Sequence, residues 1–183
     1  SWLAISSIGA KIIPVEPDIK TYNINPELIE NKITPKTKAI MPVHLYGQPC
    51  NMTRIMEIAK NNNLYVIEDN AQGHLSKWNN SYTGTFGYIN ATSFYPTKNI
   101  GAIGEAGAVT TNNLNLAEYV KLYRNYGSKI KYQNNIKGVN SRIDEIQAAI
   151  LNIKLKYIDQ NNTLRTKNAE IYNNQLTNLT DIY

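Results

Sequence analysis

The succession of strand, helix and strand between residues 37 and 67 constrains the fold more than any other feature of the sequence. Residues 37–43 and 64–67 are largely apolar runs. The second run is continuously apolar, which is typical of strands that helices cover on both faces of a sheet. Between the runs, Asn51 is a predicted helix cap, and Ile55 and Ile58 follow at helical spacing. The unit predicts a parallel crossover, and therefore an α/β fold with a mostly parallel sheet flanked by helices.

The remaining segments continue this alternation. Asn25 and Asn113 are predicted helix caps, and apolar spacing from Ser141 predicts a long helix that continues, with a break or bend, past Asn162 towards residue 176. The other predicted elements are the end of a helix at 1–8, strands at 11–15, 91–95 and 107–111, and an irregular segment at 84–90. The 183 residues are most simply one α/β domain, and the abrupt beginning and end of the chain predict that it is a part of a larger one.

Composition narrows the classes of function. The net charge is +5, but the basic residues are spread out, which disfavours nucleic-acid binding and suits a substrate that carries phosphates. No apolar run reaches the roughly 20 residues that a membrane span needs, so no membrane partner is expected. The single cysteine, Cys50, allows no internal disulfide and fits a reducing cytoplasm. We interpret it as a small loop residue rather than a nucleophile.

Lys98 is notable for its position just after a predicted strand. Pro96 ends that strand because proline lacks a ladder N–H, and Lys98 follows on a tight loop. Ligands of open α/β sheets bind outside the carboxyl ends of the strands, so a lysine in this position is well placed to be a nucleophile. Taken alone, Lys98 is more simply an ordinary surface lysine.

A carboxylate ends the neighbouring buried strand. Asp69 follows residues 64–67, and in a parallel sheet it would face the same crevice as Lys98. Taken alone, Asp69 is equally well explained as a turn residue. The pair suits pyridoxal phosphate, because a lysine amine forms a Schiff base with this cofactor and a carboxylate keeps its pyridine nitrogen protonated. Ser93, before the lysine, offers a hydroxyl to the phosphate.

Four motifs in order carry a resemblance to a known family. They are Pro-Val-His-Leu-Tyr-Gly-Gln at 42–48, Val-Ile-Glu-Asp-Asn-Ala-Gln at 66–72, Ser-Phe-Tyr-Pro-Thr-Lys-Asn at 93–99 and Gly-Val-Asn-Ser-Arg-Ile-Asp-Glu at 138–145. These motifs resemble those of the DegT/DnrJ/StrS family of nucleotide-sugar aminotransferases, in register from Gly9 to about Arg165. The resemblance implies a fold like the large domain of aspartate-aminotransferase-type (fold type I) enzymes, truncated at both ends. Residues 1–183 would then be a central fragment of that domain, and the long helix from about 141 would lead towards a carboxyl-terminal small domain.

The resemblance also implies site residues. Lys98 forms the Schiff base and moves protons, Asp69 pairs with the pyridinium, and Gln72 lies against the ring or its 3-oxygen. Ser93 contacts the phosphate, and Asn140 reaches the cofactor phosphate of a neighbouring subunit, so the site is shared across a homodimer. No metal is implied.

Other polar residues keep simpler interpretations. Without the motif, Asn140 and Arg142 would be taken as a helix cap and a surface ion pair. His44 is interpreted as a loop hydrogen-bonding residue, and His74 is given no firm role.

The function implied by the resemblance is transfer of an amino group from glutamate to a keto group of a nucleotide-linked hexose. A dTDP-keto-6-deoxy sugar, aminated at carbon 3 or 4, is the expected substrate, with a place in amino-sugar, O-antigen or other glycan biosynthesis in the cytoplasm. The fragment alone is expected to be inactive. The alternatives are a sugar dehydratase of the same family, which replaces the Schiff-base lysine, and a regulatory or scaffold homologue without turnover.

Overall fold

The computed structural model describes residues 1–177. Its helices are α1 (Trp2–Ser7), α2 (Met52–Asn61), α3 (Leu114–Tyr123), α4 (Glu145–Lys154) and α5 (Ile158–Leu176). Its strands are β1 (Ala39–Ile40), β2 (Tyr65–Asp69), β3 (Lys77–Trp78), β4 (Ser81–Tyr82), β5 (Ile89–Ser93), β6 (Gly107–Thr110), β7 (Ser128–Ile130) and β8 (Gln133–Asn134). Among these residues, no helix is both long enough and apolar enough to cross a membrane.

The main sheet has the strand order β1-β2-β5-β6. The pairs β1–β2 and β2–β5 are parallel, whereas β6 runs antiparallel to β5. Helix α2 is the crossover between β1 and β2, as the apolar pattern predicts. The predicted α/β fold with a mostly parallel sheet is therefore confirmed.

The core lies between α2 and the first strands of this sheet. Helix α2 buries Met52, Ile55 and Ile58 completely, and Ile40 and Val66 belong to the same cluster. Asn51 caps the helix as predicted, because its side-chain oxygen accepts a hydrogen bond from the backbone N–H of Arg54 at 3.1 Å. Burying such apolar side chains provides most of the stabilisation of a fold of this kind.

Several predicted strands are shorter than expected or missing. The predicted strand at 11–15 is wrong, because this segment runs extended without a ladder and Pro14 lacks a donor N–H. The predicted strand at 37–43 shrinks to β1, since Pro42 interrupts it. The strand predicted at 91–95 lies two residues earlier, at β5. The antiparallel pairs β3–β4 and β7–β8 were not predicted at all.

The long helix predicted from Ser141 is confirmed with its break. It begins at Glu145, about one turn later than expected, and a 3₁₀ turn at Leu155–Tyr157 separates α4 from α5. The helix predicted after Asn25 is instead two 3₁₀ turns, Pro26–Leu28 and Glu30–Lys32.

Candidate active site

Two loops leave the sheet at the same edge. Strands β2 and β5 are parallel neighbours, and Asp69 at the end of β2 pairs in register with Ala91 of β5. We call residues 70–76, which follow β2, the carboxylate loop, and residues 94–101, which follow β5, the lysine loop. Parallel strands present their carboxyl ends on one side, so Asp69 and Lys98 belong to one edge, as predicted from the sequence.

Asp69 is half-buried and accepts hydrogen bonds from two directions. Its Oδ1 accepts from the backbone N–H of Ala71 at 3.1 Å, and its Oδ2 accepts from the hydroxyl of Ser1 at 2.5 Å. Ser1 lies at the start of α1, so the first residues of the chain reach the site edge. Sequence reasoning missed this contribution, because no local pattern around Ser1 indicates a partner 68 residues away.

Gln72 lies in the carboxylate loop and contacts a third loop. Its Oε1 accepts a hydrogen bond from the backbone N–H of Tyr46 at 2.8 Å. Tyr46 is exposed and has a φ of 57°, a left-handed conformation that is uncommon for residues other than glycine. The loop that carries Tyr46 is thereby held against the carboxylate loop.

The lysine loop is tightly turned. The N–H of Lys98 donates to the carbonyl of Tyr95 at 2.9 Å, and the N–H of Ala102 returns to the carbonyl of Phe94 at 2.7 Å. A Cβ at Gly101 would lie 2.3 Å from the carbonyl oxygen of Pro96, so only glycine permits this approach. Lys98 itself is half-buried at the tip of the loop.

Ser93 ends β5 and faces the start of the lysine loop. Its hydroxyl oxygen accepts a hydrogen bond from the backbone N–H of Tyr95 at 3.2 Å. The side chain is half-buried, so the hydroxyl lies at the sheet edge rather than inside the core. This location is compatible with the predicted role, which stays a prediction.

His74 joins the two loops. Its ring stacks on Phe94 with 5.8 Å between centroids, and its Nδ1 accepts a hydrogen bond from the backbone N–H of Ile100 at 3.3 Å. Its Nε2 is buried without a hydrogen-bond partner among the residues described. Burial lowers the pKa of His74, and the charge of Lys98 lowers it further, although the backbone of Ser93 acts in the opposite direction. Because Nδ1 accepts from an amide, the neutral ring carries its proton on Nε2. Sequence reasoning assigned no role to His74.

His44 has the hydrogen-bonding role that the sequence suggested, but it is deeply buried. Its Nε2 lies 2.9 Å from Oε2 of Glu68, and its Nδ1 accepts from the backbone N–H of Cys50 at 3.1 Å. Both side chains of the His44–Glu68 pair are fully buried. This pair therefore holds the loop at 44–50 on the sheet and belongs to the interior rather than to the site edge.

Glu68 makes further hydrogen bonds in the same buried region. Burial alone would raise the pKa of Glu68, but the hydrogen bonds from His44 and from backbone amides outweigh it and hold the pKa below its usual value. Each of three backbone N–H groups donates to this carboxylate at 2.7 Å, those of Gly84, Phe86 and Gly87.

Cys50 has the properties of a structural residue. It is buried, and its Sγ donates to the carbonyl of Val43 at 3.2 Å. Burial raises the pKa of the Cys50 thiol to about 12, and the charge of Glu68 adds to the increase. The thiol therefore stays protonated at neutral pH, which agrees with the interpretation drawn from the sequence.

Asn140 belongs to a separate part of the chain. It forms an antiparallel bridge with Asn125, and its Oδ1 accepts from Nε of Arg142 at 3.1 Å. Arg142 also donates to Oδ1 of Asn125 at 3.2 Å and lies 5.2 Å from the ring centroid of Tyr126. These contacts leave Asn140 exposed and do not include either loop at the site edge.

The mostly parallel α/β sheet of this chain has the fold of the pyridoxal-phosphate-dependent transferases of fold type I. The chain belongs to the DegT/DnrJ/EryC1/StrS aminotransferase family, whose model matches residues 1–183. The family predicted from the four sequence motifs is therefore confirmed.

Individual relatives agree with the family match. The chain is 56% identical over 178 residues to dTDP-3-amino-3,6-dideoxy-alpha-D-galactopyranose transaminase of Aneurinibacillus thermoaerophilus, covering 97% of this chain and 49% of that protein. It superposes on DesV of S. venezuelae, solved with a ketimine intermediate, with a TM-score of 0.94 and 44% identity over 97% of this chain and 48% of DesV. NtdA of Bacillus subtilis, solved with the bound cofactor PMP, gives a TM-score of 0.91 and 38% identity over 98% of this chain and 41% of NtdA. The chain thus spans about half the length of the relatives that it matches.

The residues at the sheet edge fit the cofactor predicted from the sequence. The family match and the PMP bound in NtdA support pyridoxal phosphate as the cofactor. This cofactor needs an amine for its aldehyde and an anion for its ring nitrogen. Lys98 offers an amine from the loop that follows β5, Asp69 offers a carboxylate at the end of the neighbouring strand β2, and both residues are half-buried. Gln72 and Ser93 add polar atoms beside them.

Proposed function

We propose that the full-length protein carrying this chain is an aminotransferase that moves an amino group from glutamate to a keto group of a nucleotide-linked hexose. A dTDP-keto-6-deoxy hexose is the substrate that the relatives' names support best. The observation that carries the proposal is that Asp69 ends β2 while Lys98 lies in the loop that follows β5, the parallel neighbour of β2. The reaction is a component of amino-sugar, O-antigen or other glycan biosynthesis in the cytoplasm.

In this proposal each residue at the edge has a separate role. Lys98 is the amine that holds the cofactor and, once released, its Nζ accepts and returns the proton at the carbon that exchanges the amino group. Asp69 pairs with the ring nitrogen, where a half-buried carboxylate acts more strongly than it would in water. Gln72 orients the ring, and Ser93 donates to the phosphate. When bound, the cofactor supplies an electron sink for the developing carbanion.

The proposal also includes an active site that is shared between two subunits. Asn140 is exposed and its contacts, with Arg142 and Asn125, include neither of the two loops, which suits a residue that serves the site of a second copy. We therefore propose a homodimer with Asn140 directed at the phosphate of the neighbouring subunit's cofactor. Residues 1–183 would be the central part of its large domain, and activity would require the rest of the full-length protein.

The two alternatives differ from the proposal in the identity of residue 98 or in amino transfer. A dehydratase of the same family would replace this lysine, and its presence here argues against that function. A regulatory or scaffold homologue would bind the cofactor without transferring an amino group.

Covalent trapping tests the proposal directly. Incubation of the full-length protein with pyridoxal phosphate, followed by borohydride reduction and peptide mapping, is expected to label Lys98. Lys98→Ala is expected to remove this label and to reduce amino transfer by at least about a thousandfold, because no other amine replaces the nucleophile. Lys77→Ala, at an exposed lysine of β3, is the matched control and should retain both.

Two outcomes would contradict the proposal. A label on Lys77 or Lys129 in place of Lys98 would exclude Lys98 as the cofactor lysine. A label on Lys98 without amino transfer to any of a panel of nucleotide keto-sugars, with glutamate as donor, would favour the regulatory alternative.

A further inference from the structure

A side chain of the long helix contacts both loops of the candidate site. The amide of Asn162, in α5, donates from Nδ2 to the backbone carbonyl of His74 at 3.1 Å. Its Oδ1 accepts from Nδ2 of Asn99 at 3.1 Å. One amide group therefore connects the carboxylate loop with the residue that follows Lys98.

The hydrogen bonds fix the orientation of this amide. An oxygen placed against the carbonyl of His74 would set two acceptors against each other, so the nitrogen must face that carbonyl. The oxygen of Asn162 then faces Asn99, which has to act as the donor. Asn162 thus donates from its Nδ2 and accepts at its Oδ1, and the backbone carbonyl of His74 determines this orientation of the amide.

The loops need such a connection because the sheet fixes only their starting points. Lys98 lies at the tip of the lysine loop, beyond the last residue of β5. The stacked ring of His74 supplies one buried link, through the N–H of Ile100. Helix α4 supplies another on the far side, where Nζ of Lys154 donates to the carbonyl of Gly101 at 2.6 Å. Asn162 adds a third link, at Asn99, the residue that follows Lys98.

Asn162 is on the side of α5 that faces the two loops. Asn162 is half-buried, whereas Asn161 and Thr163 on either side are exposed. We propose that Asn162 is a positioning residue, whose amide locks the lysine loop onto the carboxylate loop and thereby sets the location of the Lys98 amine. This inference rests on the proposed function, because it assigns significance to the location of Lys98.

The rate of covalent labelling at Lys98 tests this role. The full-length protein is treated with limiting pyridoxal phosphate and borohydride, and the initial rate at Lys98 is divided by the rate at exposed Lys77. Asn162→Ala is expected to lower this ratio about tenfold, because a small displacement of a reacting group costs one to two orders of magnitude in rate. Asn161→Ala, one residue away on the same helix, should leave the ratio unchanged.

A double-mutant cycle separates positioning from general loss of stability. Asn99→Ala removes one side of the connection and is expected to lower the ratio about threefold, whereas the double variant with Asn162→Ala should stay near tenfold, because both changes remove the same bond. An additive fall of about thirtyfold would overturn the inference. If Asn162→Ala does not fold, an unchanged ratio in Asn99→Ala overturns it equally.

Hydrogen exchange supplies a readout that needs no cofactor. In the cofactor-free protein, Asn162→Ala should accelerate exchange in peptides of the lysine loop, including the N–H of Ile100, and leave α2 unaffected. Failure of the inference and of the proposed function can be distinguished. A wild-type protein without label at Lys98 overturns both, whereas normal wild-type labelling with an unchanged ratio in Asn162→Ala overturns the inference alone.

Discussion

Two adjacent carboxylates of β2 have opposite surroundings. Glu68 points into the interior, is fully buried, and accepts hydrogen bonds from three backbone amides and from His44. Asp69 is the next residue, is half-buried at the sheet edge, and accepts from one backbone amide and from the hydroxyl of Ser1. Successive side chains of a strand point to opposite faces, so a shift of one residue would exchange their surroundings.

The comparison shows that a carboxylate can have a structural role at one position and remain accessible at a candidate active site at the next. The chain itself supplies donors to both oxygens of Glu68, so this carboxylate has a fixed structural role and ties β2 to the segment at 84–87. Asp69 keeps access to the edge where Lys98 lies. Substitutions at the two positions should therefore change different measurable quantities.

The largest difference is expected in amino transfer after Asp69→Asn. The substitution preserves the size of the side chain but removes the negative charge, which we propose to stabilise a cofactor ring nitrogen. We expect labelling of Lys98 to persist and amino transfer from glutamate to slow about a hundredfold to a thousandfold, as when other preorganised electrostatic partners of a reaction centre are removed. Single-turnover kinetics of the full-length protein measure this rate.

The matched control is Asp159→Asn, which removes a charge from an exposed position in the first turn of α5. Its rate should equal that of the wild type. A rate for Asp69→Asn within about tenfold of wild type, equivalent to about 1.4 kcal/mol, would mean that Asp69 is not the ring partner.

Glu68→Gln should instead reduce stability. The glutamine NH₂ group would face a backbone N–H, so one buried donor would lose its acceptor. Loss of a charged hydrogen bond in the interior costs about 2 kcal/mol. Urea unfolding of the full-length protein is expected to show this loss, whereas Glu170→Gln, at an exposed carboxylate of α5, should show none.

The pH dependence sharpens this test. The pKa of Glu68 is lowered in the folded protein. The contribution of Glu68 to the free energy of unfolding is therefore complete at pH values above its usual pKa of 4.5, and it is lost as the pH falls through the lower pKa of the folded protein. The stability difference between wild type and Glu68→Gln should therefore shrink in acid. An undiminished difference in acid would contradict a stabilising ionised Glu68.

The smallest expected effect concerns His74, which lies between the two regions. Its pKa is lowered from 6.5 by burial, so the unfolded chain takes up a proton more readily than the folded one. The stabilising contribution of neutral His74 is therefore complete at pH values above 6.5. As the pH falls below that value, the free energy of unfolding decreases by at most about 1.4 kcal/mol for each pH unit. His74→Asn should reduce the slope of unfolding free energy against pH between about 7.5 and about 5.5, values that bracket the ordinary histidine pKa by about one unit on either side.

Urea unfolding at both pH values measures this slope. His74→Asn also changes the hydrogen bond with Ile100 and can therefore alter stability at every pH. For this reason, the slope of each protein is measured relative to its own stability at the higher pH. Identical slopes in wild type and variant would show that His74 does not resist protonation in the folded protein.

Local patterns in the sequence determined the class of fold and the principal site residues. The apolar runs and the cap at Asn51 fixed a parallel crossover unit, because strand and helix periodicities are properties of neighbouring residues. The four motifs indicated the family, and the positions of Asp69 and Lys98 after apolar strands placed both residues at one edge. These features are readable because each depends on a few consecutive side chains.

The tertiary structure decided which distant residues support that edge. Ser1 bonds to Asp69 across 68 positions and Asn162 to the carbonyl of His74 across 88, distances at which no local pattern signals a partner. The antiparallel pairing of β6 and the full burial of Glu68 beside half-buried Asp69 likewise follow from how the sheet packs against its surroundings. A single side chain can suit many contacts, and only the folded chain selects among them, because the free energy of each contact depends on what surrounds it.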